Sequence, residues 1–251
     1  AYEIMPSLVG SEMCIRDRVR IIAIASGKGG VGKTTTVANL SAILARKGYR
    51  TYAIDCNVTT SNLGLHVGMY LYPKTLHDWL EGRADIKEVI YTHPLGFNIL
   101  PADISIKDTG LKRHEVIDMI YKLLRDADFI IIDTSAGLGK ETKAVIEACD
   151  ELLTITNPEL PAVVDAAKLN EIARRGETNV IGAVVNRVEG KKHEMKENEI
   201  EDILNTSIIT KIPEDKHVKH AIAKKIPVVV YNPKSKASKK FHELAEYIIK
   251  Y

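Results

Sequence analysis

Ser26-Gly-Lys-Gly-Gly-Val-Gly-Lys-Thr-Thr-Thr36 is the stretch on which the reading of this chain turns. The run before it, Val19–Ala25, is apolar and β-branched, as a buried strand requires. After it, Thr35–Lys47 places Val37, Leu40 and Leu44 at helical spacing. A glycine-rich turn between a strand and a helix directs consecutive backbone N–H groups at one point, where they cradle phosphate oxygens. Gly27 to Gly32-Lys33-Thr34 satisfies the spacing G-x-x-x-x-G-K-[ST]. The candidate phosphate cradle is therefore Gly27, Lys28, Gly29, Gly30, Val31, Gly32, Lys33, Thr34 and Thr35. In it, Lys33 reaches the terminal phosphates and the Thr34 hydroxyl ligates Mg²⁺. Lys28 is a second lysine that the minimal motif does not need.

The chain has 251 residues, enough for one large α/β domain, and its apolar fraction of 45% is ordinary for a globular protein. A formal charge of +2 argues against a strongly electrostatic nucleic-acid binder. The three cysteines, Cys14, Cys56 and Cys149, form no C-x-x-C pair, which points to a reducing, cytoplasmic compartment rather than a disulfide framework. No apolar run approaches the length of a bilayer span. Residues 1–18 lack a secretory pattern. Ser7–Arg18 resembles translated adapter sequence, so the segment is set aside as a non-native or disordered extension. Residues 19–251 are read as a single domain.

Apolar runs alternate with amphipathic stretches at a regular pace, the pattern of successive βαβ units. Strands are expected over Val19–Ala25, Arg50–Ile54, Phe97–Leu100, Phe129–Ile132, Glu151–Thr156, Val180–Val185 and Ser207–Ile212. Helices are expected over Thr34–Lys47, Leu76–Glu81, Ile86–Tyr91, Arg113–Arg125, Lys143–Ala148, Ala162–Arg174, Asn198–Leu204, Lys216–Ala223 and Ser235–Tyr251. The expected fold is a three-layer, doubly wound α/β domain with a mainly parallel sheet of seven or eight strands. Such sheets bind ligands at the carboxyl ends of their strands. Two acids stand there. Asp55 ends the second strand and is placed to hold a Mg²⁺-bound water, although an Asp at a strand end also serves as a turn cap. Asp133 follows Phe129-Ile-Ile-Ile132, and an apolar strand ending in an acid downstream of a phosphate loop marks a second contributor to the Mg²⁺ shell. Asn186 ends the sixth strand, and a carboxamide matches the donor and acceptor on an adenine edge, although an Asn at a strand end more often serves a turn. Arg187 either stacks on the base or faces solvent.

Gly-Lys-Gly-Gly-Val-Gly-Lys-Thr-Thr35 resembles the deviant phosphate loop of the MinD/ParA family of dimerising ATPases, and the resemblance covers nearly everything from Val19 to Tyr251. It implies binding of Mg-ATP and a role for Lys28 in reaching across a dimer to the partner's nucleotide. The loop from Asp55 to Asn62 resembles the family's first switch, but Asn57 stands where a second acid is usual. That acid orients the attacking water, and an amide holds a water without accepting its proton, so Asn57 implies slow or partner-stimulated hydrolysis. Thr134-Ser-Ala-Gly137 resembles the second switch, with Ser135 where proline is usual. Thr156-Asn-Pro-Glu159 resembles a segment near the dimer interface, although Glu159 equally suits a solvated turn. Val184-Val-Asn-Arg187 and Pro213-Glu214-Asp215 resemble the segments around the adenine.

The implied function is a MinD-like ATPase that closes as a homodimer around ATP and is reset by hydrolysis, positioning cell-division or related machinery with a regulatory protein partner. Other readings of the same loop are a ParA-type partitioning ATPase and a nucleotide-sensing scaffold that hardly hydrolyses. Partitioning would want basic residues to hold DNA, and only Lys234, Lys236, Lys239 and Lys240 offer them. An iron–sulfur carrier would want paired cysteines, which are missing. Phe241, Leu244, Ala245 and Ile248 in the last helix have core-facing spacing, which leaves membrane binding through that helix unsupported.

Overall fold

The computed structural model describes residues 19–57, 61–103 and 110–251. The N-terminal extension lies outside them. Eight strands form one sheet: β1 (Arg20–Ala25), β2 (Thr51–Asp55), β3 (Tyr91–Thr92), β4 (Asn98–Leu100), β5 (Phe129–Asp133), β6 (Glu151–Thr156), β7 (Asn179–Val188) and β8 (Ile208–Pro213). Their spatial order is β3-β4-β2-β5-β1-β6-β7-β8. Every pairing is parallel except β3 with β4. The ten α-helices among the described residues are α1 (Lys33–Arg46), α2 (Leu63–Val67), α3 (Leu76–Leu80), α4 (Arg113–Leu123), α5 (Lys140–Ile146), α6 (Leu160–Arg175), α7 (Glu197–Leu204), α8 (Lys216–Ala223), α9 (Val228–Tyr231) and α10 (Lys236–Lys250).

The centre of the sheet follows from pleat geometry. Side chains alternate along a strand, so a strand buried on both faces must be apolar throughout. In β1, Ile22 and Ile24 point into one core with Val37, Leu40 and Leu44 of α1 and Phe241, Leu244 and Ile248 of α10. Ile21, Ala23 and Ala25 point the other way, into a core with Val116, Met119 and Leu123 of α4 and Val145 and Ile146 of α5. A smaller cluster joins Val163 and Ala166 of α6 to Ala183 and Val185 of β7 and Ile200 and Leu204 of α7. These are the helix layers expected of a doubly wound sheet. No helix among the described residues is long and apolar enough to cross a membrane.

The structure corrects the sequence reading at element ends. The helix expected over Ile86–Tyr91 is a 3₁₀ turn limited to Ile86–Val89, opened by a capping box between Asp85 and Glu88. Tyr91 and Thr92 instead form the antiparallel edge strand. β-branched and aromatic residues beside an open sheet edge gain a ladder there that an isolated turn of helix does not offer. The helix expected from Lys143 begins at Lys140, directly after the glycine-rich loop. Two short helices, α2 and α9, have no counterpart among the helices expected from the sequence; neither has the capping box that opens the equally short α3 at Thr75 and Asp78.

Phe241 is 1% exposed and fills the core between α10 and the sheet. Phe241→Ala is expected to destabilise the fold by about 3–5 kcal/mol. Urea denaturation should show the midpoint fall with an unchanged slope.

Candidate functional site

β1, β2 and β5 bring their carboxyl ends together, and the three loops leaving them build the site. Within the loop after β1, Gly30 and Gly32 both have positive φ, 76° and 107°. The steric demand is sharpest at two glycines. A Cβ on Gly27 would lie 2.5 Å from the backbone carbon of Asp165 in α6, and a Cβ on Gly32 would lie 2.2 Å from Asn186 Nδ2. Such separations are well inside van der Waals contact, so the loop is pressed between α6 and the end of β7 with no space for side chains.

Lys33 is buried at the first turn of α1, and its ammonium donates to Ser26 Oγ at 2.9 Å. Burial lowers its pKa and the nearby Asp133 carboxylate opposes that effect. Ser26 in turn donates to the Lys28 carbonyl at 2.8 Å. Thr34 donates its hydroxyl to Asp133 Oδ2 at 2.6 Å, while Asp133 Oδ1 is buried without a hydrogen-bond partner among the described residues. Asp133 lies directly across from Asp55 in the β2–β5 register. Burial, and then the neighbouring Asp55, push the Asp133 carboxyl up to about 8. Burial raises Asp55 as well, against the hydrogen bonds it accepts.

Asp55 serves its own loop. Its Oδ1 accepts from the Asn57 N–H at 3.1 Å, and its Oδ2 accepts from Ser61 Oγ at 2.8 Å and the Asn62 and Leu63 N–H groups at 3.1 Å. It thus holds Asn57, Ser61 and the start of α2, the capping role that the sequence left open beside metal binding. Asn57 meets Ser135 of the second switch, with 3.3 Å between Asn57 Oδ1 and Ser135 Oγ.

The residues expected around a base divide into two groups. Asn186 is buried, and its Nδ2 donates to the Val31 carbonyl at 2.6 Å, fastening β7 to the phosphate loop. Arg187 is exposed with a φ of 58°. Pro213 ends β8, and Glu214 pairs with Lys219 at 2.6 Å. Asp215 caps α8, accepting from the His217 N–H at 2.9 Å, and its other oxygen accepts from the Ala237 N–H of α10 at 3.2 Å. Its carboxylate joins two helix N-termini, a structural task that accounts for an acid at that position.

Lys28 is half-exposed, and its ammonium pairs with Glu159, the residue preceding α6, at 3.0 Å. Sequence reasoning leaves Glu159 undecided, gives Ser26 no role of its own, and passes over Asp165 and Glu141. Ser26 and Glu141 meet partners within seven positions that no hydrophobic period marks, and Asp165 meets Gly27 only through the tertiary fold.

The donor set fits a hard divalent cation: Thr34 Oγ1, the unpartnered Asp133 Oδ1 and, beyond them, Asp55, all oxygen and set beside an anion cradle. A parallel sheet with a glycine-rich loop, a buried lysine and two acids at its carboxyl edge defines a P-loop nucleotide-binding protein. The model of the CobQ/CobB/MinD/ParA nucleotide binding domain matches residues 22–228, and the chain belongs to that family. It is 41% identical over 229 residues to an uncharacterized ATP-binding protein of Methanocaldococcus jannaschii, covering 91% of this chain and 87% of that one. The septum site-determining protein MinD of Thermotoga maritima is 31% identical over 241 residues, covering 91% of this chain and 87% of that one. Among solved structures, MinD of Pyrococcus horikoshii complexed with Mg-ADP superposes with a TM-score of 0.86 at 31% identity, covering 92% of this chain and 96% of that one.

The raised Asp133 pKa gives a prediction with a definite sign. The folded chain holds a proton up to about 8 that the unfolded chain releases near an ordinary carboxylate pKa of about 4. The stabilising contribution is complete below the lower value and is lost as pH rises through the higher one. Asp133→Asn removes the buried charge and is expected to raise the melting temperature of the nucleotide-free chain at pH 8 by roughly 2–6 °C. It should also abolish the Mg²⁺ dependence of nucleotide affinity. Calorimetry at pH 6 and 8, with and without Mg-ATP, checks both effects.

Proposed function

We propose that this protein is a MinD-like ATPase that binds Mg-ATP, dimerises with the nucleotide between two copies, and hydrolyses it to return to the monomer. The observation carrying this reading is Lys28: a cation on the phosphate loop, half-exposed, and paired with the surface carboxylate of Glu159. An ion pair of this kind contributes about 0–1 kcal/mol, so Lys28 is readily given up to a stronger anion. Around it stand the exposed apolar residues Leu138 after β5 and Leu160 and Val164 one turn apart on α6. An apolar rim beside an exchangeable cation fits a second copy of the same face better than it fits water.

In this reading the loop backbone and Lys33 bind the phosphates, and Thr34, Asp133 and Asp55 hold Mg²⁺ and its waters. The cation would neutralise charge on the phosphates when bound. Lys28 from the partner adds positive charge where negative charge develops on the leaving side, a contribution made only once the dimer has closed. Asn57 orients the attacking water and takes no proton from it, which keeps unstimulated turnover slow. ATP acts as the clamp and hydrolysis as the release, so the nucleotide state sets whether a regulatory partner is engaged. The likeness to MinD proteins supports a role in positioning division or related machinery.

The cysteines oppose the alternative of an iron–sulfur carrier. Cys56 and Cys149 are buried, and burial pushes both thiols up, whereas a ligand must be an accessible thiolate. The partitioning alternative keeps exposed lysines at positions 234, 236 and 239, near the start of α10. Binding to nonspecific DNA that weakens steeply with salt would favour it over the division reading.

Lys28→Ala tests the proposal. ATP affinity should stay within about threefold, while ATP-dependent dimerisation is lost and turnover falls about a hundredfold or more. Light scattering that still shows an ATP-dependent dimer for this variant would sink the assignment of Lys28 to the partner's site.

A further inference from the structure

α2 (Leu63–Val67) has five residues, too few to persist as a helix without anchors at its ends. Asp55 supplies the anchor at the start, accepting from the Asn62 and Leu63 N–H groups. At the other end the Val67 carbonyl meets His93 Nε2 at 2.9 Å, 26 positions along the chain. His93 lies in the turn between β3 and β4, is 6% exposed, and stacks on Phe97 with 4.5 Å between ring centres. A carbonyl only accepts, so Nε2 donates. The Leu95 N–H donates to the other ring nitrogen, Nδ1, at 3.0 Å. Two backbone groups therefore fix the ring as the neutral tautomer with its proton on Nε2.

A second proton has no place on this ring. On Nδ1 it would confront the Leu95 N–H, donor against donor, and would put a charge on a buried imidazole. Burial lowers the His93 pKa, the Val67 carbonyl opposes that effect, and no carboxylate or cation among the described residues takes part. The ionisable groups on the elements around the hairpin are engaged elsewhere. Beyond the end of α2, the Lys225 ammonium lies 3.9 Å over the Tyr70 ring, and Tyr72 packs on Tyr91 with 4.8 Å between ring centres. The Tyr91 hydroxyl of β3 donates to the Lys74 carbonyl at 2.8 Å. At the end of α1, Lys47 pairs with Glu246 and Arg46 acts on His242. On α2 itself, His66 Nδ1 donates to the Asn62 carbonyl at 2.9 Å, and burial lowers the pKa of this second imidazole too.

We propose that His93 is a positioning residue for the first switch: as a neutral imidazole it pins the end of α2 to the edge hairpin, and on acidification it lets that end go. The release works through local opening. Once the tie breaks, the imidazole regains an ordinary pKa of about 6.5 and takes a proton that the closed form refuses. The tie is therefore at full strength above about pH 6.5 and weakens progressively as pH falls below it. At pH 5.5 an ordinary imidazole is about tenfold more protonated than neutral, so the open population grows by up to about tenfold. Because the same short helix begins at the Asp55 anchor, its release loosens the segment that holds Asp55. The inference deepens the ATPase reading above and rests on it only for the effect on turnover, while the tie is a property of the folded chain alone.

Amide hydrogen exchange of the nucleotide-free chain at pH 7.5 and 5.5, corrected for intrinsic rates, tests the tie. The Met69 N–H, which donates to the Gly64 carbonyl of α2, and the Leu95 N–H should both lose protection at pH 5.5, by about three- to tenfold. His93→Gln keeps a donor for the Val67 carbonyl and has nothing to titrate. Its Met69 protection should be the same at both pH values and within about threefold of the unsubstituted chain at pH 7.5. His93→Ala cuts the tie, and its Met69 protection should be about tenfold lower already at pH 7.5. Met69 protection indifferent to pH in the unsubstituted chain would overturn the proposal. So would a pH dependence that survives in His93→Gln, which would belong to His66, or a response confined to Leu95, which would make His93 a turn residue only.

Nitrogen NMR of the His93 ring gives a check that needs no variant. The ring should remain in its Nε2–H form at pH 6.5, where an exposed histidine is about half protonated, and a half-protonated ring there would overturn the proposal. Turnover supplies the link to function. The ratio of ATP hydrolysis at pH 5.5 to that at pH 7.5 should be about threefold higher in His93→Gln than in the unsubstituted chain. Equal ratios, with the exchange and NMR results as expected, would keep the tie and refute the part given to the first switch in hydrolysis.

Discussion

Two carboxylates held in register at the carboxyl edge of a buried sheet are the constraint on which this site depends. Asp55 and Asp133 end neighbouring strands directly opposite one another, and both are buried. Like charges so placed, out of water, cannot both be ionised without compensation. The fold compensates them differently. Asp55 is satisfied by its own loop, through Ser61 and three backbone N–H groups. Among the described residues, Asp133 receives the Thr34 hydroxyl and keeps its other oxygen unpartnered. The site is therefore built around a carboxyl that burial keeps protonated up to about 8, and a divalent cation beside it would favour the ionised form.

The phosphate loop is shaped by what surrounds it as much as by its own glycines. α6 approaches Gly27 and Asn186 approaches Gly32 closely enough to forbid a Cβ at either position. Asn186 also donates to the Val31 carbonyl, which ties the end of β7 to the loop. On the other side, Lys33 is held by Ser26, and Lys28 by Glu159 at the start of α6. The buried lysine and the half-exposed one are thus poised differently. Lys33 is already committed inside the cradle, whereas Lys28 sits in an ion pair weak enough to be exchanged.

The switch loops show how a departure from a familiar pattern acquires meaning through its neighbours. Read alone, Asn57 is a lost carboxylate and Ser135 a lost proline. Placed together beside Glu141, they form one hydrogen-bonded group that joins both switches to α5.

The sequence by itself determined the phosphate loop, the alternation of strands and helices, the two acids at strand ends and the family. These are local properties: a glycine spacing, a hydrophobic period, an acid after an apolar run. Each is written in fewer than about twenty consecutive residues, the scale on which periodicity is readable. The edge strand at Tyr91–Thr92 escaped that reading because two residues carry no period and the strand exists only through its pairing with β4. Tertiary structure alone decided that Asp215 ties α8 to α10, that Asn186 grips the phosphate loop, that Glu159 holds Lys28 and that Glu141 reaches Asn57 through Ser135. All but one of those contacts join residues more than twenty positions apart in the chain. Their partners are selected by the winding of the sheet, which places the loops of distant strands along one edge, and no local pattern encodes that proximity.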